Sequence, residues 1–176
     1  MHECEAAAAA LTASVLRASQ GGDDAERETR GTGLSAVSDA QFRTHAAVLS
    51  ATQLKRATHY YDECRRVEQG VAAWRAGDMT RFGEVMNQSG LSSIHNYECG
   101  CEALVQLREL LAATRGVLGA RFSGAGFRGC CVALVEAGEA EAAAAAVTAQ
   151  YAMLQPTLAP HARVLIVDSG AGARLL

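Results

Sequence analysis

Apolar residues recur at helical spacing over most of the first 116 residues of the chain. Residues 3–18 consist of strong helix formers and predict one helix. From about residue 38 to residue 76 the apolar positions fall at steps of three or four, which predicts two helices or one broken helix. Gly77 is suited to end this stretch and Asp78 to cap the next helix, so the sequence predicts a helical hairpin.

The second arm of that hairpin is expected to bury Phe82, Val85 and Met86. The polar residues 87–100 that follow predict a loop. Residues 101–116 again have the composition of a helix, and this helix should end at a glycine.

After residue 116 the hydrophobic pattern changes from helical to strand-like. Residues 117–123, 130–136 and 162–170 are short, apolar and partly β-branched, which is typical of strands. Residues 137–156 predict one more helix, ended by Pro156. Strands that follow a series of helices indicate an α+β domain with a small sheet.

The chain of 176 residues is expected to form one domain. Residues 19–33 interrupt it with glycine and charge and almost nothing to bury, so we expect a flexible loop there. The net charge of -3 gives no reason to expect binding to nucleic acid or to an anionic membrane. We see no signal peptide and no apolar run long enough to span a bilayer, so we expect a cytoplasmic protein with six free thiols.

Three glycines between the first two predicted strands spell GxGxxG: Gly124, Gly126 and Gly129. A dinucleotide-binding loop of this spelling needs a helix directly after the third glycine. Here a strand pattern follows, and the next helix begins only near Glu139, which disfavours a dinucleotide site. Two alternatives remain: a hairpin connection without a ligand, or a loop whose backbone N–H groups face a phosphate, with Arg128 beside it as a cation.

The stretch GARFSGAGFRGCCVALV, residues 119–135, closely resembles the third glycine-rich motif of the GHMP kinases, and within them of the galactokinase type. The segments RATHYYDECRRV (56–67), GVAAWRAGDMTRFGEVMNQS (70–89) and SGLSSIHNYECGCEALVQL (89–107) resemble the C-terminal domain of the same enzymes. The pattern is most similar to the galacturonokinase branch. Gly90 stands where galactokinases have His, and Arg128 stands where they have Gly.

This resemblance implies a GHMP kinase C-terminal domain over residues 1–176, with a small antiparallel, ferredoxin-like sheet packed against several helices. It implies ATP and Mg²⁺ as cofactors, and transfer of a phosphoryl group to the anomeric hydroxyl of D-galacturonate or galactose. The family places its catalytic residues in an N-terminal domain that we do not find in this sequence. We therefore expect no catalytic residue here and no activity from this chain alone. The alternative is a non-catalytic remnant that binds a sugar or a partner protein.

The nucleotide-facing or phosphate-facing residues implied by the family motif form one continuous stretch: Ser123, Gly124, Ala125, Gly126, Phe127, Arg128 and Gly129. Arg128 is also a candidate for binding the substrate, because a guanidinium can bind a uronate carboxylate or a phosphate bidentately. The alternative is an exposed arginine that only shields the loop. No metal site is expected, and we expect Cys130 and Cys131 to be small buried hydrophobic residues.

Overall fold

The computed structural model describes residues 2–19, 33–168 and 170. The described helices are α1 (His2–Ala18), α2 (Asp39–His45), α3 (Ala51–Ala76), α4 (Met79–His95), α5 (Glu102–Ala113) and α6 (Ala140–Leu154). The described strands are β1 (Val117–Ser123) and β2 (Cys130–Val135). Nearly all of the loop predicted at 19–33 lies outside the described residues.

The ends of the long helices follow local capping chemistry. Ser38 and Ser50 each begin a helix with a capping box, in which the serine side chain accepts a hydrogen bond from the backbone three residues later. Gly77 ends α3 in the left-handed conformation at φ 71°, and the Asp78 side chain caps α4. The prediction of two helices or one broken helix between residues 38 and 76 and the predicted helical hairpin are therefore confirmed.

The loop predicted over residues 87–100 is wrong for most of its length, because α4 continues to His95. Ser89, Gly90 and Ser92 are buried in this helix. A Cβ atom at Gly90 would lie only 3.0 Å from the carbonyl oxygen of Ala120 in β1. Small and polar residues here allow a helix to approach a strand closely, and the sequence pattern alone does not distinguish that use from a loop.

The two strands pair antiparallel, with Ser123 opposite Cys130 and Arg121 opposite Val132. The α+β class with a small antiparallel sheet is confirmed. The strand predicted at 162–170 is wrong: residues 162–168 form no regular element, and their side chains are exposed. A strand is stabilised by its neighbour's hydrogen bonds, and this segment has no sheet partner among the described residues.

Helix α4 covers the edge of β1 that faces away from β2. A Cβ atom at Gly119 would lie 2.7 Å from the Cα atom of Gly83, so the two backbones pack directly on each other. The Asn87 side chain accepts a hydrogen bond from Ala120 N–H at 2.9 Å and donates one to the Leu118 carbonyl at 3.2 Å. One amide side chain thus replaces the neighbouring strand that this edge would otherwise need.

A buried guanidinium completes the cover over β1. Arg108 of α5 donates through Nε to the Ala120 carbonyl at 3.3 Å and through Nη2 to both oxygens of Asn87 at 3.1 Å. Burial lowers the pKa of Arg108. Helices α4 and α5 and strand β1 are therefore joined by one set of hydrogen bonds.

The apolar core is divided into two clusters. The larger cluster joins α1, α2 and α3, and in it the rings of Phe42 and Tyr61 stack with centroids 4.4 Å apart. The smaller cluster packs α5 against α6 through Leu110, Val147 and Tyr151. None of the described helices is long and apolar enough to cross a membrane.

Candidate functional site

The loop between β1 and β2 has the backbone conformation that its glycines predict. Gly124, Gly126 and Gly129 have φ values of 93°, 74° and 110°, which L side chains rarely adopt. A Cβ atom at Gly126 would lie 2.6 Å from Cε2 of the Phe122 ring and closer still to Cδ2. The spacing of these glycines therefore meets a real requirement of the turn and of its packing.

A second loop, residues 96–101, lies directly beside the glycine loop. Cys101 N–H donates a hydrogen bond to the Gly126 carbonyl at 2.8 Å. Gly100, at φ 108°, lies so close to the same Phe122 ring that a Cβ atom there would be 2.9 Å from it. Because Phe122 is itself buried, one ring supports both loops from below.

The surface of the glycine loop is open to solvent. Six of the seven candidate residues, Ser123 to Ala125 and Phe127 to Gly129, are exposed, while Gly126 is buried. Within the described residues, the backbone N–H groups of 124–128 donate no hydrogen bond, and Arg128 has no ion pair. Free N–H groups in a turn of glycines, next to an unpaired guanidinium, form a surface suited to an anion such as a phosphate or a carboxylate.

The neighbouring loop 96–101 is held by charged residues that sequence patterns do not connect. The buried guanidinium of Arg56 donates to Glu3 at 2.6 Å, to Glu98 at 2.7 Å and to the Asn96 carbonyl at 2.5 Å. Lys55 adds a second ion pair to Glu98 at 2.6 Å. Hydrogen bonds from Lys55 and Arg56 lower the pKa of Glu98 to about 2.

Glu98 also has an unusual backbone conformation. Among the described residues, it is the one non-glycine residue with a positive φ, at 58°. Such a conformation costs free energy and persists when surrounding contacts hold it. The ion pairs to Lys55 and Arg56 supply those contacts. The 96–101 loop, and through Cys101 the glycine loop, thus depend on residues of α1 and α3.

A further polar cluster lies between α3 and α4. Ser89 Oγ donates to Glu63 at 2.8 Å, and Arg66 Nε donates to the same carboxylate at 2.5 Å. His59 Nδ1 and Ser92 Oγ are hydrogen-bonded at 2.9 Å. Burial would raise the pKa of Glu63, but the bonds from Ser89 and Arg66 lower it overall; burial lowers the pKa of His59.

Sequence reasoning missed this cluster because it assigned the serines to a loop. The expectation that Cys130 is buried is also wrong, because this residue is exposed on the sheet face that the helices leave open. Cys131 is half-buried beneath α5. The cysteines are all free thiols.

Residues 71–152 match the family model for the C-terminal domain of GHMP kinases. These residues therefore carry the GHMP kinase C-terminal domain. The matched range contains α4, the 96–101 loop, both strands and the glycine loop.

The chain is similar to sugar kinases of that family. It is 44% identical to galacturonokinase from Arabidopsis thaliana over 99% of this chain and 40% of that protein. It is 43% identical to galactokinase from Homo sapiens over 53% of this chain and 24% of that protein. The crystal structure of Lactococcus lactis galactokinase complexed with galactose matches with a TM-score of 0.67 and 30% identity, over 89% of this chain and 39% of that one. The chain therefore spans well under half the length of these GHMP kinases.

The family implies ATP and Mg²⁺, and the described residues fit the two groups differently. The glycine loop and Arg128 have the chemistry of an anion site, for the reasons given above. No group of three or more His, Cys, Asp or Glu side chains in the described ranges could hold a metal ion. The described part of this GHMP kinase domain thus offers an anion-binding surface rather than a set of metal ligands.

Proposed function

We propose that residues 1–176 are the C-terminal domain of an ATP-dependent sugar-1-kinase that phosphorylates the anomeric hydroxyl of D-galacturonate, with galactose as the second candidate substrate. The observation that carries the proposal is the open glycine loop, in which the N–H groups of 124–128 and the Arg128 guanidinium have no partner among the described residues and so suit an anion. The 44% identity to a galacturonokinase over 99% of the chain supports the choice of sugar. The six free thiols suit a reducing compartment, and we place the activity in the cytoplasm.

Phosphoryl transfer depends mainly on positioning and on stabilising negative charge. The backbone of Gly124 to Gly129 would contribute N–H donors to that task. The base that activates the sugar hydroxyl and the ligands of Mg²⁺ would come from the part of the enzyme that the family places outside the C-terminal domain. We therefore expect residues 1–176 to complete an active site rather than to form one alone.

Arg128 is the residue that we assign to the substrate. It is exposed, it lies inside the glycine loop, and no carboxylate of the described residues neutralises it. A guanidinium that meets the C6 carboxylate of galacturonate bidentately would add about 1.5–3 kcal/mol of binding that galactose cannot use.

The test is a chimera in which residues 1–176 replace the matched region of the Arabidopsis thaliana galacturonokinase. We expect this chimera to phosphorylate galacturonate with ATP. The Arg128→Ala variant should lose about 10- to 100-fold in kcat/KM for galacturonate and little for galactose. Arg75→Ala, at another exposed arginine far along the chain from the loop, is the matched control and should leave both values unchanged.

Each outcome of this experiment has a distinct meaning. An equal loss for both sugars would assign Arg128 to ATP rather than to the uronate carboxylate. A folded chimera that phosphorylates neither sugar would refute the proposed function and favour a non-catalytic remnant. Micromolar binding of ATP to residues 1–176 alone, measured by calorimetry, would contradict the expectation that the main nucleotide site lies elsewhere.

A further inference from the structure

The buried arginine of α3 contacts three consecutive residues of the loop beside the glycine loop. Arg56 donates hydrogen bonds to the Asn96 carbonyl and to the Glu98 carboxylate. Its guanidinium also lies 5.8 Å from the centre of the Tyr97 ring. From the other side, Glu3 of α1 accepts a third bond at 2.6 Å. Because the Arg56 side chain is only 10% exposed, water cannot readily replace these partners, and the arginine determines where this stretch of the loop lies.

Glu98 passes this constraint along the chain. At φ 58° it has a conformation that a non-glycine residue keeps only while surrounding contacts hold it. Two residues, Cys99 and Gly100, separate it from Cys101 at the start of α5. The Cys101 N–H belongs to the peptide unit that joins it to Gly100, so its direction is set by the loop rather than by α5. A change of backbone angle at Glu98 would therefore turn this N–H.

The Cys101 N–H in turn fixes one peptide unit of the glycine loop. It donates to the Gly126 carbonyl at 2.8 Å. In a trans peptide, a carbonyl and the N–H of the next residue point in opposite directions. The described residues contain no cis peptide bond, so the Phe127 N–H is directed away from Cys101. This N–H donates to no other group in the part of the chain that the structure describes.

The direction of the Phe127 N–H matters for an anion. The Phe127 side chain is 57% exposed, and the exposed guanidinium of Arg128 follows it directly. An N–H on this side attracts a phosphate, whereas a carbonyl oxygen turned to the same side would repel it. Glycine at position 126 permits the backbone angles of either orientation. The orientation therefore needs a partner outside the glycine loop, and Cys101 is that partner.

We propose that Arg56 is a positioning residue of the glycine loop. Acting through Glu98 and Cys101, it keeps the peptide unit between residues 126 and 127 in the orientation that offers its N–H to a bound phosphate. The choice of phosphate as the anion rests on the proposed function. Arg56 lies outside the range that matches the family model, so the matched domain depends here on a residue that precedes it.

The test uses residues 1–176 as the protein and inorganic pyrophosphate as the probe, with amide shifts followed by NMR at constant ionic strength. We expect a saturable shift of the Phe127 amide. Arg56→Met should weaken pyrophosphate binding at least tenfold, because the peptide unit is no longer held. Arg56→Lys should recover part of the loss, since it keeps a cation opposite Glu98. Arg81→Met is the matched control: it removes an exposed arginine that has its own ion pair elsewhere, and it should bind as the parent protein does.

A second variant acts directly on the hydrogen bond between the two loops. Cys101→Pro removes the N–H that the Gly126 carbonyl accepts, and the φ of -94° at this position lies within about 30° of the proline value. Glu102→Pro is its matched control, because proline is favoured at the first position of a helix and the Cys101 N–H stays in place. Cys101→Pro should weaken pyrophosphate binding at least tenfold, and Glu102→Pro should not. Should Arg56→Met fail to fold, Arg56→Lys takes its place beside Cys101→Pro.

A double variant separates positioning from general stability. If Arg56 acts through Cys101, the loss of affinity in the Arg56→Met, Cys101→Pro double variant should not exceed the larger of the two single losses. Single losses that multiply in the double variant would overturn the proposal. Parent-like affinity in Arg56→Met, no shift at Phe127, or a loss in Glu102→Pro as large as that in Cys101→Pro would overturn it as well.

Kinetics of the chimera separate this proposal from the proposed function. A donor that acts on the transferring phosphate lowers kcat when it is lost. Arg56→Met and Cys101→Pro should therefore lower kcat, per folded enzyme, by about 10- to 100-fold and leave the KM for galacturonate within about twofold. A raised KM for galacturonate with kcat unchanged would contradict the positioning role. The expected pyrophosphate results, together with a chimera that phosphorylates neither sugar, would support the positioning role while counting against the kinase.

Discussion

The contact between Gly83 and Gly119 is the place where a single methyl group should disturb the fold most. Strand β1 crosses α4 with only glycines between the two backbones. In a Gly119→Ala variant, the new Cβ atom would lie 2.7 Å from the Cα atom of Gly83, and closer still to its carbonyl oxygen. Both neighbours are backbone atoms, so no side chain can rotate to make room.

The magnitude follows from how far the two elements must separate. An ordinary contact begins at about 3.4 Å, so helix and strand must move apart by roughly 0.7 Å or more. Overpacking of this kind costs about 1–3 kcal/mol, and the shift also weakens the bonds that Asn87 makes to β1, worth about 1 kcal/mol each. The alanine recovers about 0.5–1 kcal/mol of chain entropy. We expect a net loss of about 2–4 kcal/mol in the free energy of unfolding.

Thermal unfolding followed by circular dichroism measures this loss, which corresponds to a fall in Tm of roughly 5–15 °C for a chain of this size. Gly138→Ala is the matched control, because nothing lies within 4 Å of its added Cβ atom. It should leave the free energy of unfolding within about 1 kcal/mol of the parent protein. A Gly119→Ala variant as stable as this control would show that α4 and β1 are not in backbone contact, and would refute the reasoning.

Two further predictions concern ionisable groups. The folded-state pKa of Glu98 is about 2, below its ordinary 4.5, so its ion pairs with Lys55 and Arg56 stabilise the protein above pH 4.5 and are lost as the pH falls toward 2. Glu98→Gln should therefore flatten the decline of the denaturation midpoint over that range, and an unchanged decline would contradict the pairing. Burial raises the pKa of Cys131 to about 11, which leaves roughly one thiolate in a thousand at pH 8. A disulfide reagent at pH 8 should label exposed Cys130 in the folded protein and reach Cys131 only after unfolding; equal labelling rates would be the contrary result.

The helices could be predicted where their signals are local. Ser50 and Gly77 define the two ends of α3 through groups no more than five residues away, so the sequence contains the whole signal. The extension of α4 to His95 could not be predicted in the same way. It depends on β1, which lies some thirty residues further along the chain and requires small side chains at Ser89 and Gly90.

The strand predicted at 162–170 fails for the opposite reason. Its hydrophobic pattern is strand-like, but a strand needs a partner, and none of the described residues provides one. The same distinction applies to the site. The glycine loop is encoded in the spacing of three glycines, whereas the support of the adjacent loop by Arg56 joins residues forty or more positions apart, beyond the reach of any local pattern.

The shared support on Phe122 has a consequence for how this site can evolve. Gly100 and Gly126 are excluded from carrying side chains by the same aromatic ring, although they are 26 positions apart. A smaller residue at position 122 would remove this shared contact at both positions at once, leaving the left-handed backbone as the remaining obstacle to a side chain, whereas a change at either glycine alone would also collide with the ring. Positions 100, 122 and 126 should therefore vary together across relatives of this chain, as one unit of covariation that links the two loops.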